Sequence, residues 1–252
     1  MEEENTQQSI QSKNNLAVPG AIIVAGALIA GSVYFSFGKI ATTPSVAGID
    51  AAGNQQLPPG DTGSLDQMAA ISASDHIRGN PDAPIKIVEY SDTECPFCKR
   101  FHETMKQVMD EYGKSGEVAW VYRQFPLTQL HSKAAKEAEA TECANELGGP
   151  DTFWSYIDRL FEVTPSNDGL DLAELPKIAE YVGLDINKFN TCLTSGKYAQ
   201  HIEQDTQDAM ATGGNGTPWS IVVAKNGKKY PMSGAQPYTS VKQLIELALQ
   251  EK

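Results

Sequence analysis

Two cysteines, Cys95 and Cys98, stand between a strand-like run and a helix-like run, and this arrangement constrains the fold more than any other feature of the chain. The preceding residues 84–90 (PIKIVEY) are rich in β-type side chains. The following residues 98–112 (CKRFHETMKQVMDEY) carry apolar side chains at helical spacing. A second strand-like run, residues 118–125 (VAWVYRQF), comes next, so the sequence predicts a right-handed β-α-β unit.

The C-terminal part of the chain predicts a helical insertion and then a second unit of two strands and a helix. Residues from about 131 to 211 contain several helical apolar patterns. Residues 220–224 (SIVVA) and 228–232 (KKYPM) flank an Asn-Gly pair, which is a strong hairpin signal, and residues 240–250 form the last helical pattern. The predicted class is therefore α/β, with the order β-α-β, helical insertion, β-β-α, in a domain that spans residues 75–252.

The N-terminal part of the chain has a different character. Residues 16–38 carry no charge and are apolar over about 20 residues, the length that crosses a bilayer as a helix. We expect a transmembrane helix or signal-anchor here, with residues 1–15 as a cytoplasmic tail, and a cleaved export signal remains the alternative. Residues 39–74 are rich in Ala, Gly, Pro, Ser and Gln, which indicates a flexible linker.

Three roles are possible for the Cys95–Cys98 pair. A zinc site usually takes four ligands from two compact pairs, and the other cysteines, Cys143 and Cys192, are far apart, so we expect no metal. A crosslink that closes two intervening residues constrains the unfolded chain little. A cysteine at a helix start has its thiolate stabilised by free N–H groups and the helix dipole, which favours a redox pair in which Cys95 is the exposed nucleophile and Cys98 the resolving partner.

A known family matches these motifs. The Cys-Pro-Phe-Cys sequence at a helix start, the later Gly216-Thr217-Pro218 before a hairpin, and the helical insertion between them resemble the thioredoxin-fold DsbA-like thiol–disulfide oxidoreductases. Membrane-tethered members of the BdbD type are the most similar in layout, and the resemblance covers about residues 75–252. It implies that Pro218 is a cis proline packed against the cysteines, and that Thr217 offers its backbone to an extended substrate.

The resemblance also assigns supporting roles around the cysteines. Glu89 matches the position of a buried acid that exchanges a proton with Cys98, although a glutamate facing water from a strand edge remains possible. Pro96 and Phe97 contact substrate and set how strongly the pair oxidises. Phe97 offers no hydrogen-bond donor and Glu94 adds negative charge, so we expect the pKa of Cys95 to be less depressed than in relatives with histidine at that position.

Cys143 and Cys192 are expected to form a structural disulfide, on their spacing and on the resemblance. Closing a loop of about 50 residues is worth on the order of 4 kcal/mol in the chain-entropy model. Two free buried thiols are the alternative. His131 is interpreted as a surface or capping residue at the start of the insertion, and Trp219 as a core residue of a strand.

The expected function is that of an extracytoplasmic thiol–disulfide oxidoreductase, specifically an oxidase that introduces disulfides into exported proteins. A disulfide reductase or isomerase, or a non-catalytic binding module, is the alternative. A structural disulfide beside a redox pair indicates an oxidising compartment, so the domain should lie outside the cytoplasm, anchored in a bacterial membrane by a single helix or secreted if that helix is cleaved.

The expected partners follow from the same resemblance. They are reduced exported proteins as substrates, a membrane reoxidant of the DsbB or vitamin-K-epoxide-reductase type, and membrane lipid around the N-terminal helix. No cofactor is expected. The net charge of −12 argues against nucleic acid, because phosphate binding needs clustered Lys and Arg.

Overall fold

The computed structural model describes residues 63–251. The predicted cytoplasmic tail (1–15), the predicted transmembrane helix (16–38) and the first part of the predicted linker (39–62) lie outside the described residues. Within the described part, no helix has both the length and the apolar character that a bilayer crossing requires.

Within residues 63–251, five strands form one mixed sheet in the order β1-β3-β2-β4-β5. Their bounds are β1 His76–Gly79, β2 Ile85–Ser91, β3 Val118–Gln124, β4 Trp219–Val223 and β5 Lys229–Ser233. Strands β2 and β3 are parallel, as the β-α-β unit requires, whereas the other neighbouring pairs are antiparallel. Strand β1 was not predicted from the sequence; it has four residues, and it adds to the free edge of β3.

Seven α-helices are present in the described residues. Their bounds are α1 Pro96–Val108, α2 Ala134–Gly148, α3 Pro150–Val163, α4 Glu174–Tyr181, α5 Ile186–Ser195, α6 Ala199–Ala211 and α7 Tyr238–Leu249. Helix α1 continues into a π-helical turn, Met109–Gly113. Helices α2 to α6 form the predicted insertion, so the order β-α-β, helical insertion, β-β-α is confirmed.

Local sequence signals explain several of these boundaries. Gly149 separates α2 from α3 at a φ of +79°, a conformation that glycine adopts without steric cost, and Pro150 then begins α3 at the position that best tolerates proline. The carboxylate of Asp185 caps α5 by accepting the N–H of Lys188 at 3.0 Å. Gly227 turns the β4–β5 hairpin at a φ of +87°.

The sheet separates two apolar clusters because successive strand residues point to opposite faces. Ile85, Ile87 and Trp120 pack with α1, α3 and α7 on one face, the face that carries Cys98. Val88 and Ile221 pack on the other face, in a second cluster. The insertion has an apolar cluster of its own, built on α2 to α5 and containing the side chains of Tyr156, Leu160, Phe189, Cys143 and Cys192.

Residues 63–74 lie against the domain, although the sequence places them in the linker. Leu65, Met68 and Ile71 pack on the second sheet face, next to the cluster that contains Val88. The guanidinium of Arg123 donates to the carbonyl oxygen of Ala69 at 3.2 Å and to that of Ala70 at 3.4 Å. Three apolar residues at three-residue spacing and the guanidinium of Arg123 together hold this polar, Ala-rich segment on the fold.

Gly63 begins the described chain in close contact with Gly213. A Cβ atom placed on Gly63 would come within 2.2 Å of the Gly213 nitrogen, so only glycine fits this approach. Gly213 follows α6 and precedes Thr217 by four residues. The first described residue thus sits beside the loop that carries Thr217 and Pro218.

Candidate active site

Both cysteines of the redox pair are placed by the start of α1. Cys95 is the N-cap residue, with extended backbone, and Pro96 is the first helical residue. Cys98 lies one turn further on and is fully buried. Cys95 itself is only 4% exposed, so the expectation of an exposed nucleophile is corrected: the carbonyl oxygen of Thr217 lies 3.5 Å from the Cys95 sulfur and covers it.

The two thiols have opposite electrostatic surroundings. The pKa of Cys95 is lowered to about 6, first by a hydrogen bond from the Cys98 thiol and then by Thr217 and the backbone N–H groups of Cys98 and Phe97 at the helix start, which together outweigh the effect of burial. Burial raises the pKa of Cys98 well above its ordinary value, and the neighbouring Cys95 sulfur adds to that rise. The pair therefore has one sulfur that ionises near neutral pH and one that holds its proton.

The loop before β4 carries Thr217 and Pro218 and lies against Cys95. The Thr217–Pro218 peptide bond is cis, which is the isomer that the resemblance implied. Trp219 follows at the start of β4, where it is half-buried and packs beside the second sheet cluster. Its indole N–H donates to the hydroxyl of Thr212 at 3.0 Å, so Trp219 has a packing role away from the cysteines.

Glu89 is fully buried in β2, on the sheet face below Cys98, which rules out the alternative of a glutamate facing water. Its Oε2 accepts the indole N–H of Trp120 at 2.9 Å, while Oε1 has no hydrogen bond to the described residues. Burial raises the pKa of Glu89 to about 7. The charge of Glu89 in turn raises the pKa of Cys98, so the two groups are close enough to affect one another's protonation.

Glu89 is part of a row of polar side chains that crosses the sheet. It is aligned with Tyr122 on β3 and with Ser220 on β4. The hydroxyl groups of Tyr122 and Ser220 are buried and, like Oε1 of Glu89, make no hydrogen bond to the described residues. These hydroxyls and the Glu89 carboxyl form a buried polar strip across β3, β2 and β4 beneath Cys98.

His131 belongs to the site, so its interpretation as a surface or capping residue was wrong. It is buried, and its Nδ1 lies 2.9 Å from Oδ2 of Asp92. Burial lowers the pKa of His131, but the hydrogen bond and charge of Asp92 outweigh this and the net shift is upward; the charge of Cys95 contributes to the rise. A protonated His131 would therefore stabilise the Cys95 thiolate.

Asp92 organises the turn between β2 and the cysteines. Its carboxylate accepts the backbone N–H of Leu127 at 2.7 Å and that of Glu94 at 2.8 Å, in addition to the His131 contact. Its own N–H points to the Cys98 sulfur at 3.4 Å. The sequence shows Asp92 only as a turn residue, and its partner His131 is 39 residues away, so no local pattern links them.

A second buried acid faces the motif from the insertion. Glu137 of α2 and Glu94 are both fully buried. Burial, and then the neighbouring carboxyl of Glu94, raises the pKa of Glu137 to about 9. Glu137 is therefore protonated at neutral pH, and this pair places at most one negative charge in the site.

The other sequence-predicted residues take separate places. Cys143 of α2 and Cys192 of α5 form a disulfide, with Cα atoms 5.8 Å apart, whereas Cys95 and Cys98 are free thiols. Pro96 is exposed and Phe97 is 53% exposed, with the guanidinium of Arg100 5.2 Å from its ring centroid. The site thus presents an apolar surface directly beside Cys95.

A protein-family model described as Thioredoxin matches residues 72–246. The chain belongs to this thioredoxin family. Among solved structures, DsbA2 of Pseudomonas aeruginosa is similar with a TM-score of 0.60 and 28% identity, over 73% of this chain and all of that one. BdbD of Bacillus subtilis, at a TM-score of 0.62 and 22% identity, covers 75% of this chain and 97% of that one, and at this identity it shows the fold alone.

Curated proteins of greater length are also similar to part of this chain. The sodium/proton antiporter NhaA 1 of Mycolicibacterium gilvum is 35% identical over 158 residues, and the antiporter NhaA 3 of Salinispora tropica is 34% identical over 169 residues. The aligned regions cover 62% and 67% of this chain, respectively, and 24% of each antiporter. The chain therefore spans about a quarter of the length of these relatives.

These comparisons confirm the predicted resemblance at the level of a DsbA-like thioredoxin fold with a helical insertion, and the predicted enzyme class of protein thiol–disulfide oxidoreductase. Within this thioredoxin-family fold, Cys95, Cys98, Thr217, Pro218 and Glu89 meet at one end of the sheet. Cys143 and Cys192 lie apart from them, in the core of the insertion. His131 and its partner aspartate are the members of the site that sequence reasoning did not assign.

Proposed function

We propose that this chain is a disulfide oxidase, in which the Cys95–Cys98 disulfide passes to pairs of thiols in client proteins. The observation that carries the proposal is the asymmetry of the pair: the pKa of Cys95 is lowered to about 6, whereas that of the buried Cys98 is raised. Such a pair has one sulfur suited to attack and departure as a thiolate and one suited to resolution.

The exchange proceeds in two steps. A client thiolate attacks Cys95 of the oxidised pair, a client–Cys95 bond forms, and the Cys95–Cys98 bond breaks with its electrons on Cys98. A second client thiolate then attacks the client sulfur of this mixed disulfide, and Cys95 leaves as a thiolate. The client is oxidised by two electrons and the Cys95–Cys98 pair is reduced by two.

Glu89 supplies the proton that the Cys98 sulfur takes up in the first step. Because the pKa of Cys98 is raised by burial, the thiolate that forms there is unfavourable until it is protonated. The carboxyl of Glu89, with its pKa raised to about 7, is protonated in part of the molecules at neutral pH and can supply that proton. In reoxidation the same group accepts it.

The direction of electron flow is set by how well the reduced pair is stabilised. A lowered Cys95 pKa stabilises the reduced form and favours the oxidase, while Phe97 lacks the donor that would stabilise the thiolate further. The reduction potential in glutathione buffers separates the directions. We expect a value above about −230 mV; a value near that of thioredoxin, about −270 mV, would favour the alternative of a reductase or isomerase.

We place the redox domain outside the cytoplasm, anchored by residues 16–38. The Cys143–Cys192 disulfide supports this location, because stable disulfides belong to oxidising compartments. The proposed substrates are reduced exported proteins, and the proposed reoxidant is a membrane protein of the DsbB or vitamin-K-epoxide-reductase type, whose effective concentration the anchor would raise. Cation antiport is not proposed, since the chain spans a quarter of the antiporters that it resembles.

The central experiment is the oxidation of a fully reduced substrate such as ribonuclease by the oxidised protein. Recovery of ribonuclease activity should be fast with the natural chain and absent with Cys95→Ala. Cys98→Ala should also be inactive, because without Cys98 the protein has no disulfide to pass to the client. Oxidation of ribonuclease by the Cys95→Ala variant would contradict the proposal.

A further inference from the structure

The turn between α3 and α4, residues 164–170, has a backbone conformation that residues other than glycine rarely adopt. Ser166, Asn167 and Asp168 have φ angles of +65°, +54° and +60°, so three consecutive residues lie in the left-handed region. This region brings the Cβ atom close to the following carbonyl oxygen and costs free energy at each residue. Such a run persists only where contacts with the rest of the fold hold it, and those contacts indicate its role.

Two contacts fasten this left-handed turn to the redox motif. The backbone N–H of Asn167 donates to the carbonyl oxygen of Glu94, the residue before Cys95, at 2.8 Å. The Nζ atom of Lys99, the residue after the resolving cysteine, donates to the carbonyl oxygen of Thr164 at 2.6 Å. The left-handed turn is therefore held on both sides of the redox pair.

Asp168 fastens the same turn to the start of α2. Its Oδ2 accepts the backbone N–H of Ser132 at 3.0 Å, and its Oδ1 accepts that of Lys133 at 3.0 Å. Lys133 occupies the N-cap position and makes no cap with its own side chain, so the cap of α2 comes from a distant part of the chain. The Nζ atom of Lys133 donates in return to the carbonyl oxygens of Asp168 at 2.7 Å and Leu170 at 2.5 Å. These bonds fix the two residues that directly follow His131.

We propose that Asp168 is a positioning residue of the redox site, which holds His131 in place through the backbone of the two residues that follow it. His131 is buried, with its Nδ1 2.9 Å from Oδ2 of Asp92, so its position depends on the path of residues 131–133. Against burial, which lowers the pKa of His131, three acidic neighbours raise it: Asp92, Cys95 and Asp168. Asp168 therefore acts on Cys95 through His131.

A purely structural cap is the first competing explanation. In that case Asp168 only joins the left-handed turn to α2, and its loss lowers stability without changing the titration of Cys95. A direct effect of the Asp168 charge on Cys95 is the second, and it has the opposite sign. Loss of a nearby negative charge lowers the pKa of a thiol, whereas displacement of a protonated histidine raises it. The direction of the change in the Cys95 pKa thus separates the three explanations.

Asp168→Gly is the variant to measure, because glycine adopts a φ of +60° without steric cost and removes the carboxylate without straining the turn. Asn167→Gly is the matched control. It places glycine at the neighbouring left-handed position and keeps both the carboxylate of Asp168 and the backbone N–H that contacts Glu94. Each reduced chain is titrated by the ultraviolet absorbance of its thiolate, and equilibration with glutathione gives the stability of the disulfide.

We expect Asp168→Gly to raise the pKa of Cys95 by about half a unit and Asn167→Gly to leave it unchanged. The glutathione equilibrium of Asp168→Gly should move about threefold toward the oxidised pair, because its thiolate is less stabilised. In a His131→Gln background, Asp168→Gly should cause no further rise, since no imidazole remains to be positioned. An unchanged or lowered Cys95 pKa in Asp168→Gly, or a rise that persists in the His131→Gln background, would overturn the proposal.

This inference rests on the proposed role of Cys95 as the exchanging thiol, but neither measurement needs a client protein. Ribonuclease oxidation by the natural chain together with an unchanged Cys95 pKa in Asp168→Gly would refute the role of Asp168 and leave the oxidase standing. A natural chain that fails to oxidise ribonuclease, with the expected rise of the Cys95 pKa in Asp168→Gly, would support the role of Asp168 and refute the oxidase.

Discussion

The carboxyl of Glu89 should lower the stability of the fold at high pH and yet be needed for activity. Its pKa is raised from 4.5 to about 7 by burial, so between these pH values the folded chain binds more protons than the unfolded chain. Stability therefore falls as pH rises through this window, by on the order of 3 kcal/mol in total. Glu89→Gln should remove that loss and unfold at a higher urea concentration than the natural chain at pH 8.

The same variant should be a poor enzyme. Without a carboxyl to protonate Cys98, client oxidation should slow on the order of a hundredfold at pH 7, the usual effect of losing a general acid. Glu103→Gln, on the exposed side of α1, is the matched control and should change neither property. A Glu89→Gln variant with the natural rate would show that the proton of Cys98 comes from elsewhere.

His131 should lower the pKa of the Cys95 thiol. The net rise in its pKa leaves it charged in more of the molecules near neutral pH, and the charge of Cys95 contributes to that rise. His131→Gln should therefore raise the pKa of Cys95, by about half a unit to one unit, and make the pair less oxidising. Ultraviolet absorbance of the thiolate against pH measures the first change and glutathione equilibration the second; an unchanged Cys95 titration would show that His131 serves only to position Asp92.

At the scale of elements, the Cys143–Cys192 disulfide should stabilise the insertion without taking part in exchange. It joins α2 to α5 and closes a segment with a sequence separation of 49, which is worth about 4 kcal/mol. Replacement of both cysteines by serine should lower the free energy of unfolding in urea by about that amount. Client oxidation by the folded fraction should be preserved, and a loss of oxidation in that fraction would argue that this disulfide does participate.

Arg123 should hold residues 63–74 on the domain. Its guanidinium is buried between Asp75 and Asp208, and breaking a buried ion pair on one side costs about 3–5 kcal/mol. Arg123→Met should therefore destabilise the fold by that amount and open the segment to proteolysis. Arg159→Met is the control, since its pair with the exposed Glu162 is screened by solvent and contributes little to stability; equal proteolysis of both variants would contradict this role of Arg123.

The same elements show how far the sequence could predict the structure. Strands β2 to β5 and helices α1 and α7 were predictable because their apolar periods and turn residues are local signals. Strand β1 was not, because four residues carry no periodicity and its pairing with β3 is decided by a neighbour some 40 residues away. The packing of residues 63–74 depends likewise on Arg123, whose partners are distant in sequence.

At the scale of the whole molecule, the residues of the site also fall into two groups, those that the sequence could assign and those that it could not. Cys95, Cys98, Thr217, Pro218 and Glu89 could be assigned because each lies in a motif with a recognisable neighbour. The residues that the sequence did not assign are paired across the fold. Asp92 meets His131 over 39 residues and Asp168 meets Ser132 over 36, so their significance appears only when the helical insertion is placed against the sheet.

The contact of Gly63 with Gly213 links the start of the described residues to the redox site. Gly213 lies four residues before Thr217, in the loop that supplies the cis proline beside Cys95. A side chain at position 63 would have to displace this loop, because its Cβ atom would stand 2.2 Å from the Gly213 nitrogen. Bulk introduced far outside the Cys95–Cys98 motif would thus reach the redox site without touching either cysteine.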